Sequence, residues 1–117
     1  MNIEAYRNYC MSKPGVTESF PFDNKTLVFK VMGKMFALCD VDSFQGVNLK
    51  CDPAKAIELR EQFEGVKPGY HMSKTHWNTV EMDGSIPDDL FREWIDDSYN
   101  LVVAKLPASL RSQLNLI

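Results

Sequence analysis

The chain has 117 residues, of which 44% are hydrophobic and 25% charged, and its formal net charge is −3. This length is typical of one domain with one hydrophobic core, and the composition excludes disordered and fibrous proteins. The longest strongly apolar stretch, "LVVAKL" at 101–106, is too short to cross a bilayer, and the N-terminal stretch "MNIEAYRNYC" lacks the apolar segment of a secretion signal. We therefore expect a single domain over residues 1–117 in the cytoplasm, with no membrane partner.

The first predicted elements are a helix and a β-hairpin. Apolar residues at helical spacing predict a helix over 3–11, which the breakers Pro14 and Gly15 then end. The stretch 25–41 predicts a hairpin whose turn is Gly33-Lys34. In its first strand Leu27, Phe29 and Val31 alternate with Thr26, Val28 and Lys30; its second strand carries Phe36 and Leu38 on one face and Met35, Ala37 and Cys39 on the other.

A third strand and a second helix follow. The stretch "GVNLKC" at 46–51 places alternate apolar residues on one face of a strand. Asp52-Pro53 is a helix start, since the Asp side chain can cap free N–H groups and Pro loses no hydrogen bond at the first helical position. We expect this helix to run to about Phe63 and to end near Gly65.

The C-terminal part predicts a second hairpin and a long helix. Two strands, 66–71 and 76–82, flank a turn at 72–75. A helix opens at Pro87 and stops at Pro107, and the stretch "SLRSQL" is compatible with a last short helix. We predict that Phe91 and Trp94 pack against the sheet, because an acidic helix has no other reason to place large aromatics three apart. The remaining apolar stripe consists of Leu90, Ile95, Tyr99, Val102 and Leu106.

This element order predicts the fold class. Hairpin-length connections imply antiparallel pairing, and amphipathic helices need a sheet face to cover. We therefore expect an α+β two-layer sandwich, α-β(3)-α-β(2)-α, with an antiparallel five-stranded sheet and the helices packed on one face.

Three features bear on chemistry without defining a reaction. Cys10, Cys39 and Cys51 show no C-x-x-C spacing, so we predict free thiols and no metal site. His71 and His76 are five apart, which places them on different faces of either a strand or a helix. A pairing of Cys51 with one of these histidines stays open, but no catalytic motif or cofactor is indicated.

The charges are unevenly distributed. Residues 81–97 sum to −6, whereas the rest of the chain sums to +3, and residues 65–80 contain no acid. Within the acid-free stretch Lys67 and Lys74 can meet phosphates, and His76 and Asn78 can form hydrogen bonds. Tyr70 and Trp77 offer stacking faces; the alternative for both is packing at the edge of the core, which we favour for Trp77.

The wording of three stretches resembles the MmcQ/YjbR family. They are "YCMSKPGVTESFPF" at 9–22, "KPGYHMSKTHWNTV" at 67–80 and "DGSIPDDLFREWIDDSYNLVVAKLP" at 83–107. The resemblance implies a frataxin-like (CyaY-like) or secretion-chaperone-like fold and, through the family's double-wing label, DNA binding without enzymatic activity. The positions that match the family motif are His71, Lys74, His76, Trp77, Asn78 and Thr79.

Two functional hypotheses follow, with an enzyme or metal binder as a weaker third. The first is a non-enzymatic DNA-binding domain that uses a basic-aromatic hairpin, with Lys25, Lys30 and Lys34 as further cations; its candidate contact residues are Lys67, His71, Lys74, His76, Trp77 and Asn78. The alternative is a protein-interaction or self-associating module whose partner is another protein or a second copy.

Overall fold

In the computed structural model, residues 1–115 are described, and they form four helices and six strands. The helices are α1 Ile3–Met11, α2 Pro53–Gln62, α3 Asp88–Ala104 and α4 Ala108–Leu114. The strands are β1 Val16–Ser19, β2 Thr26–Val31, β3 Lys34–Asp40, β4 Gly46–Lys50, β5 Val66–Pro68 and β6 Trp77–Glu81. All strand pairs are antiparallel, in the order β1-β2-β3-β4-β6-β5, which confirms the predicted α+β architecture.

The sheet described within residues 1–115 has six strands, whereas five were predicted; the additional strand is β1, which has no apolar alternation in the sequence. This strand contains one apolar residue, Val16, so it lacks the alternation that reveals a half-buried strand. It pairs with β2 from Val16 opposite Val31 to Ser19 opposite Val28. On its helix side, the carboxylate of Glu18 accepts two hydrogen bonds from the guanidinium of Arg7, at 2.7 and 2.6 Å.

The first hairpin differs from expectation at its turn. Met32 and Gly33 both have positive φ, 49° and 85°, and Val31 pairs with Lys34. Two successive positive φ values are those of a type I′ turn, whose twist matches the flanking strands. The predicted turn at Gly33-Lys34 is therefore wrong by one residue.

A β-bulge corrects the predicted faces of β3. The register shifts between Phe29 opposite Ala37 and Lys30 opposite Met35, which leaves Phe36 as the extra residue. Phe36 and Ala37 consequently both point into the main core, together with Cys39, whereas Met35 and Leu38 lie on the opposite face. Strict alternation had put Phe36 with Leu38, and the inserted residue is the reason that it fails.

The main core lies between the sheet and one layer of helices. It joins side chains of all four helices to the inward side chains of the strands, including Tyr6, Phe29, Leu59, Ile95 and Leu114. Phe91 and Trp94 are 1% and 5% exposed, which confirms their predicted packing against the sheet. None of the helices within residues 1–115 combines the length and apolarity needed to span a membrane.

The start of α2 and the unbridged state of the cysteines agree with the predictions made from the sequence. The Asp52 carboxylate accepts a hydrogen bond from the N–H of Lys55 at 3.2 Å and so caps α2. The three cysteines are unbridged, as predicted. Burial raises the pKa of the Cys10 and Cys39 thiols to about 12, so both stay protonated at neutral pH.

The sheet face opposite the helices, here called the open face, carries a second and smaller apolar cluster. Val28, Leu38 and Trp77 are buried there, and Met35 and Met72 pack against them. Met72 belongs to the connection between β5 and β6, so that connection covers part of the open face. This cluster is what buries the tryptophan of the second hairpin.

Candidate nucleic-acid interface

The candidate interface is built on the hairpin of β5 and β6. Val66 pairs with Val80, Lys67 with Thr79 and Pro68 with Asn78. The two strands are shorter than predicted, and the connection runs from 69 to 76 instead of 72 to 75. We call these eight residues the 69–76 loop.

The 69–76 loop is tightly anchored at its start. The N–H of Gly69 donates to the carbonyl of Trp77 at 2.9 Å, and a Cβ on Gly69 would lie 2.7 Å from the Cβ of Trp77. Only glycine allows this approach without displacement of the strand. The ammonium of Lys74 donates back to the carbonyl of Gly69, and Trp77 N–H donates to the carbonyl of Ser73 at 3.0 Å. The loop is therefore folded over Trp77.

A polar network on the open face fixes the backbone of Tyr70. Its N–H donates to the hydroxyl of Thr79 at 2.9 Å, and its carbonyl accepts from the side-chain amide of Asn48 at 3.0 Å. The Thr79 hydroxyl in turn donates to the amide oxygen of Asn48. Tyr70 as a residue is nevertheless 69% exposed, so a solvent-facing aromatic is carried by an anchored backbone.

His71 lies beside Tyr70 in a strained conformation. Its φ is +58°, in the left-handed region that residues other than glycine adopt rarely, although histidine is among the more tolerant. Its ring centroid is 4.0 Å from that of Tyr70, with the planes at 50°. His71 itself is exposed.

The structure separates the six candidate contact residues into two groups. The first group is exposed at the surface and consists of Lys67, His71, Lys74 and His76. The second is buried: Trp77 is 8% exposed on the open face, and Asn78 is 3% exposed on the helix-covered face. Lys74 is exposed, and the burial of Trp77 confirms the alternative favoured for it from the sequence.

Asn78 has an internal structural role. Its amide oxygen accepts from Nε of Arg60 at 2.7 Å, and its amide nitrogen donates to the carbonyl of Ala56 at 3.2 Å. Arg60 also donates to the carbonyl of Lys74, so one α2 side chain holds both β6 and the loop. Both polar ends of the Asn78 amide are therefore engaged inside the fold, and this side chain is not free to meet an external ligand.

Charged residues are segregated on the open face. Residues that pair across neighbouring strands form rows of side chains on this face. One row contains Thr17, Lys30 and Met35, and Lys50 lies opposite Trp77 at the same end of the strands. A middle row crosses all six strands through Ser19, Val28, Leu38, Asn48, Thr79 and Lys67. The acids Asp40 and Glu81 lie in the last row, at the far end. Lys30 and Lys50 thus lie towards the loop end of the strands, Lys67 lies in the middle row, and the two acids lie at the opposite end.

The environments of one lysine, Lys50, and one thiol, Cys51, limit the chemistry that this region can support. Burial lowers the pKa of Lys50, and the nearby charge of Lys105 adds to that shift. Burial also raises the pKa of the Cys51 thiol, which disfavours the thiolate that a nucleophile needs. Within residues 1–115, His, Cys, Asp and Glu side chains form no group of three or more that could hold a metal ion. The exposed groups of this region are cationic, aromatic or hydrogen-bonding, and groups of these kinds are suited to contacts with anions and planar rings.

Sequence reasoning missed the residues that hold the site together. Arg60 and Asn48 lie on α2 and β4, far along the chain from the loop, and neither carries a local signal of its role. The stacking face of Tyr70 was recognised as one option, but its anchoring depends on Thr79 and Asn48, which only the strand register brings together.

Comparison with known proteins gives consistent relatives. The YjbR protein of Escherichia coli strain K12 is 39% identical over 97% of this chain and 98% of its own. The YyaQ protein of Bacillus subtilis strain 168 is 31% identical over 64% of this chain and 63% of its own. The crystal structure of the Deinococcus radiodurans protein DR2400, a DUF419 domain, superposes with a TM-score of 0.91 at 39% identity, over 97% of this chain and 88% of that one.

A second solved structure and the family model extend this agreement. A protein from Pseudomonas syringae superposes with a TM-score of 0.74 at 27% identity, over 86% of this chain and 98% of that one. The YjbR family model matches residues 11–101, which include the first hairpin, the 69–76 loop and most of α3. The chain therefore belongs to the YjbR family.

Proposed function

We propose that this chain is a non-enzymatic DNA-binding domain whose contact surface is the 69–76 loop and the adjoining half of the open face. The exposed cations of this surface are Lys67 and Lys74, with His71 and His76 beside them and the half-buried Lys30 and Lys50 on the sheet. These groups can contact phosphates, which position a protein on DNA without reading its sequence.

The observation that carries the proposal is the separation of charge across the sheet. The acidic helix α3 lies in the helix layer with Asp88, Asp89, Glu93, Asp96 and Asp97, four of which form ion pairs there, whereas the strand pairing puts Lys30 and Lys67 on the open face. A phosphate backbone on the open face would meet positive potential and be kept from the repulsive stretch by the thickness of the domain. The net charge of −3 therefore does not oppose binding at this surface.

In this proposal the two buried candidates shape the surface instead of contacting DNA. Trp77 supports the loop from below, and Asn78 ties β6 to α2, so both act on the shape of the surface and not on the ligand. Binding through a handful of cations predicts low sequence preference and an affinity that falls steeply as salt rises, because each phosphate contact releases counterions.

Fluorescence anisotropy with a labelled duplex at several salt concentrations tests the proposal. Lys67→Ala and Lys74→Ala should each weaken binding about equally across sequences and reduce the salt slope by about one unit. Lys67 is the cleaner site, since it is exposed, whereas the ammonium of Lys74 also holds the carbonyl of Gly69.

Arg92→Ala is the matched control. It removes one positive charge from the helix layer, where Arg92 forms a surface ion pair with Asp89 at 3.1 Å. This variant should leave the salt slope unchanged. Absence of salt-sensitive duplex binding by the unmodified chain at micromolar concentration, or an equal loss in Arg92→Ala and Lys67→Ala, would contradict the proposal.

A second candidate function is self-association or binding of a protein partner at the opposite edge of the sheet. Phe20 and Phe22, in the connection after β1, are 48% and 65% exposed. Phe20 borders a shallow groove whose apolar walls are Ile3, Leu27 and Val41. Exposed aromatic side chains beside an apolar groove are typical of interaction surfaces. Sedimentation velocity of the unmodified chain and of Phe22→Ser would test it: a concentration-dependent dimer that the substitution abolishes would favour this candidate.

A further inference from the structure

We propose that Tyr70 is a stacking platform for an unpaired base, so that the surface prefers single-stranded over duplex nucleic acid. This inference rests on the proposed function, which supplies the phosphate contacts. It adds a contact with a base, which the phosphate contacts do not provide.

The anchoring of Tyr70 is the first argument. Its backbone is held on both sides, by the Thr79 hydroxyl at 2.9 Å and the Asn48 amide at 3.0 Å, while the residue as a whole is 69% exposed. Aromatic side chains normally turn towards the core, where their large area is buried. Here the anchored main chain holds the side chain on the solvent side of the loop, so little backbone entropy remains to be lost when a flat ligand covers the ring.

The surroundings of Tyr70 are the second argument. The His71 ring lies 4.0 Å away, and the exposed Lys67 pairs with Thr79, the residue that also holds Tyr70. Lys74 lies in the same loop. An aromatic face flanked by cations is the combination with which proteins hold single strands, since bases stack and phosphates pair with lysine. A base inside a duplex hides its face in the helical stack and cannot use such a platform.

The third argument is the fate of the other aromatic residue. Trp77, which the sequence offered as a second stacking face, is 8% exposed beneath Met72 and the loop. Of the two large aromatic residues of this hairpin, Tyr70 is thus the one that a base can reach, with the exposed imidazole of His71 beside it. The proposal therefore places one stacked base at this surface, with the neighbouring phosphates on Lys67 and Lys74.

The test measures the affinity for two strands of equal length, an intact oligothymidylate and one that contains abasic spacers. Each strand is titrated with the unmodified chain, Tyr70→Ala and Tyr70→Phe. The unmodified chain should bind the intact strand roughly tenfold more tightly than the abasic strand, because the spacers keep the phosphates and remove the stacking. Tyr70→Ala should lose the same factor on the intact strand and show no further loss on the abasic one. Tyr70→Phe, which keeps the ring, should bind like the unmodified chain.

The outcomes separate the inference from the proposed function. Salt slopes should be the same for Tyr70→Ala and the unmodified chain, whereas Lys67→Ala should lower the slope by about one. Equal affinity of Tyr70→Ala and the unmodified chain for the intact strand would overturn the stacking platform, and salt-sensitive duplex binding would then still support the proposed function. If neither the duplex nor any single strand binds in a salt-sensitive manner, both ideas are wrong.

Discussion

The two faces of the sheet are built on different principles. The helix-covered face joins side chains from all four helices and the strands in one apolar cluster. On the open face, three buried residues and two methionines lie beneath a loop, next to a polar network of Asn48, Thr79 and the backbone of Tyr70. The first face resists substitution because it is large and mostly apolar. The second is shaped by specific hydrogen bonds, and it carries the exposed Tyr70.

The largest expected effect lies on the helix-covered face. Trp94 is 5% exposed, and its ring meets Phe63 edge to face at 5.3 Å. Trp94→Ala should lower the free energy of unfolding by about 3–5 kcal/mol, because it leaves a cavity in the main core. Chemical denaturation measures this. A loss below about 1 kcal/mol would show that the helix does not depend on this contact.

Trp77→Ala probes the open face with the same change of side chain. We expect a smaller loss in the free energy of unfolding, about 2–3 kcal/mol, because the small cluster can collapse or admit water where the main core cannot. Hydrogen exchange should also rise across the 69–76 loop, which rests on this ring. A loss as large as that of Trp94→Ala would mean that the two faces are equally structural.

Tyr6→Phe tests whether the main core is as dry as its composition suggests. The Tyr6 hydroxyl is buried and has no hydrogen-bond partner among the described residues, and its polar neighbours are the thiols of Cys10 and Cys39. Removal of an unsatisfied hydroxyl should raise the free energy of unfolding by about 1 kcal/mol. Thermal and urea denaturation would detect this gain; destabilisation instead would reveal that a thiol or a water serves as its partner.

The smallest effect is expected at Glu18, where α1 meets the edge of the sheet. The guanidinium of Arg7 holds the pKa of this carboxyl below its ordinary 4.5. Because the folded-state pKa is the lower one, the stabilisation is present above that value and is lost as pH falls through the folded-state pKa. Glu18→Gln should therefore destabilise slightly near pH 7 and less at about pH 3, where acid protonates more of the carboxyl of the unmodified chain. Urea titrations at both pH values check this.

Most of the fold could be predicted because helices and buried strands carry periodic apolar patterns. The long helix α3 is the best example: its stripe, its acidic first turn and the final Pro107 all follow from the sequence. The bulge at Phe36 and the strand β1 could not be predicted. A bulge leaves the composition of a strand unchanged, and β1 adds only the partly buried Val16 to the core, beside its backbone pairing and the ion pair of Arg7 with Glu18.

The candidate site was predictable in its charges and not in its architecture. An acid-free stretch around Lys67 and Lys74 is visible in the sequence, and both lysines prove exposed. Which neighbours face solvent depends on the strand register and on contacts from α2. Asn78 illustrates the difference: its residue type suits a ligand contact, but Arg60 and Ala56 satisfy it within the fold.

The two edge strands of the sheet, β1 and β5, also differ in how readily a strand of another chain could pair with them. The outer edge at β5 is three residues long and includes Pro68, which lacks an N–H, so it is a poor template for another chain. The edge at β1 has four residues and no proline, and its main protection is its brevity and the charge of Glu18. If partly unfolded copies aggregate through β-pairing, the template would accordingly be β1, and a proline or lysine introduced there would be the remedy with the least disturbance to the loop side.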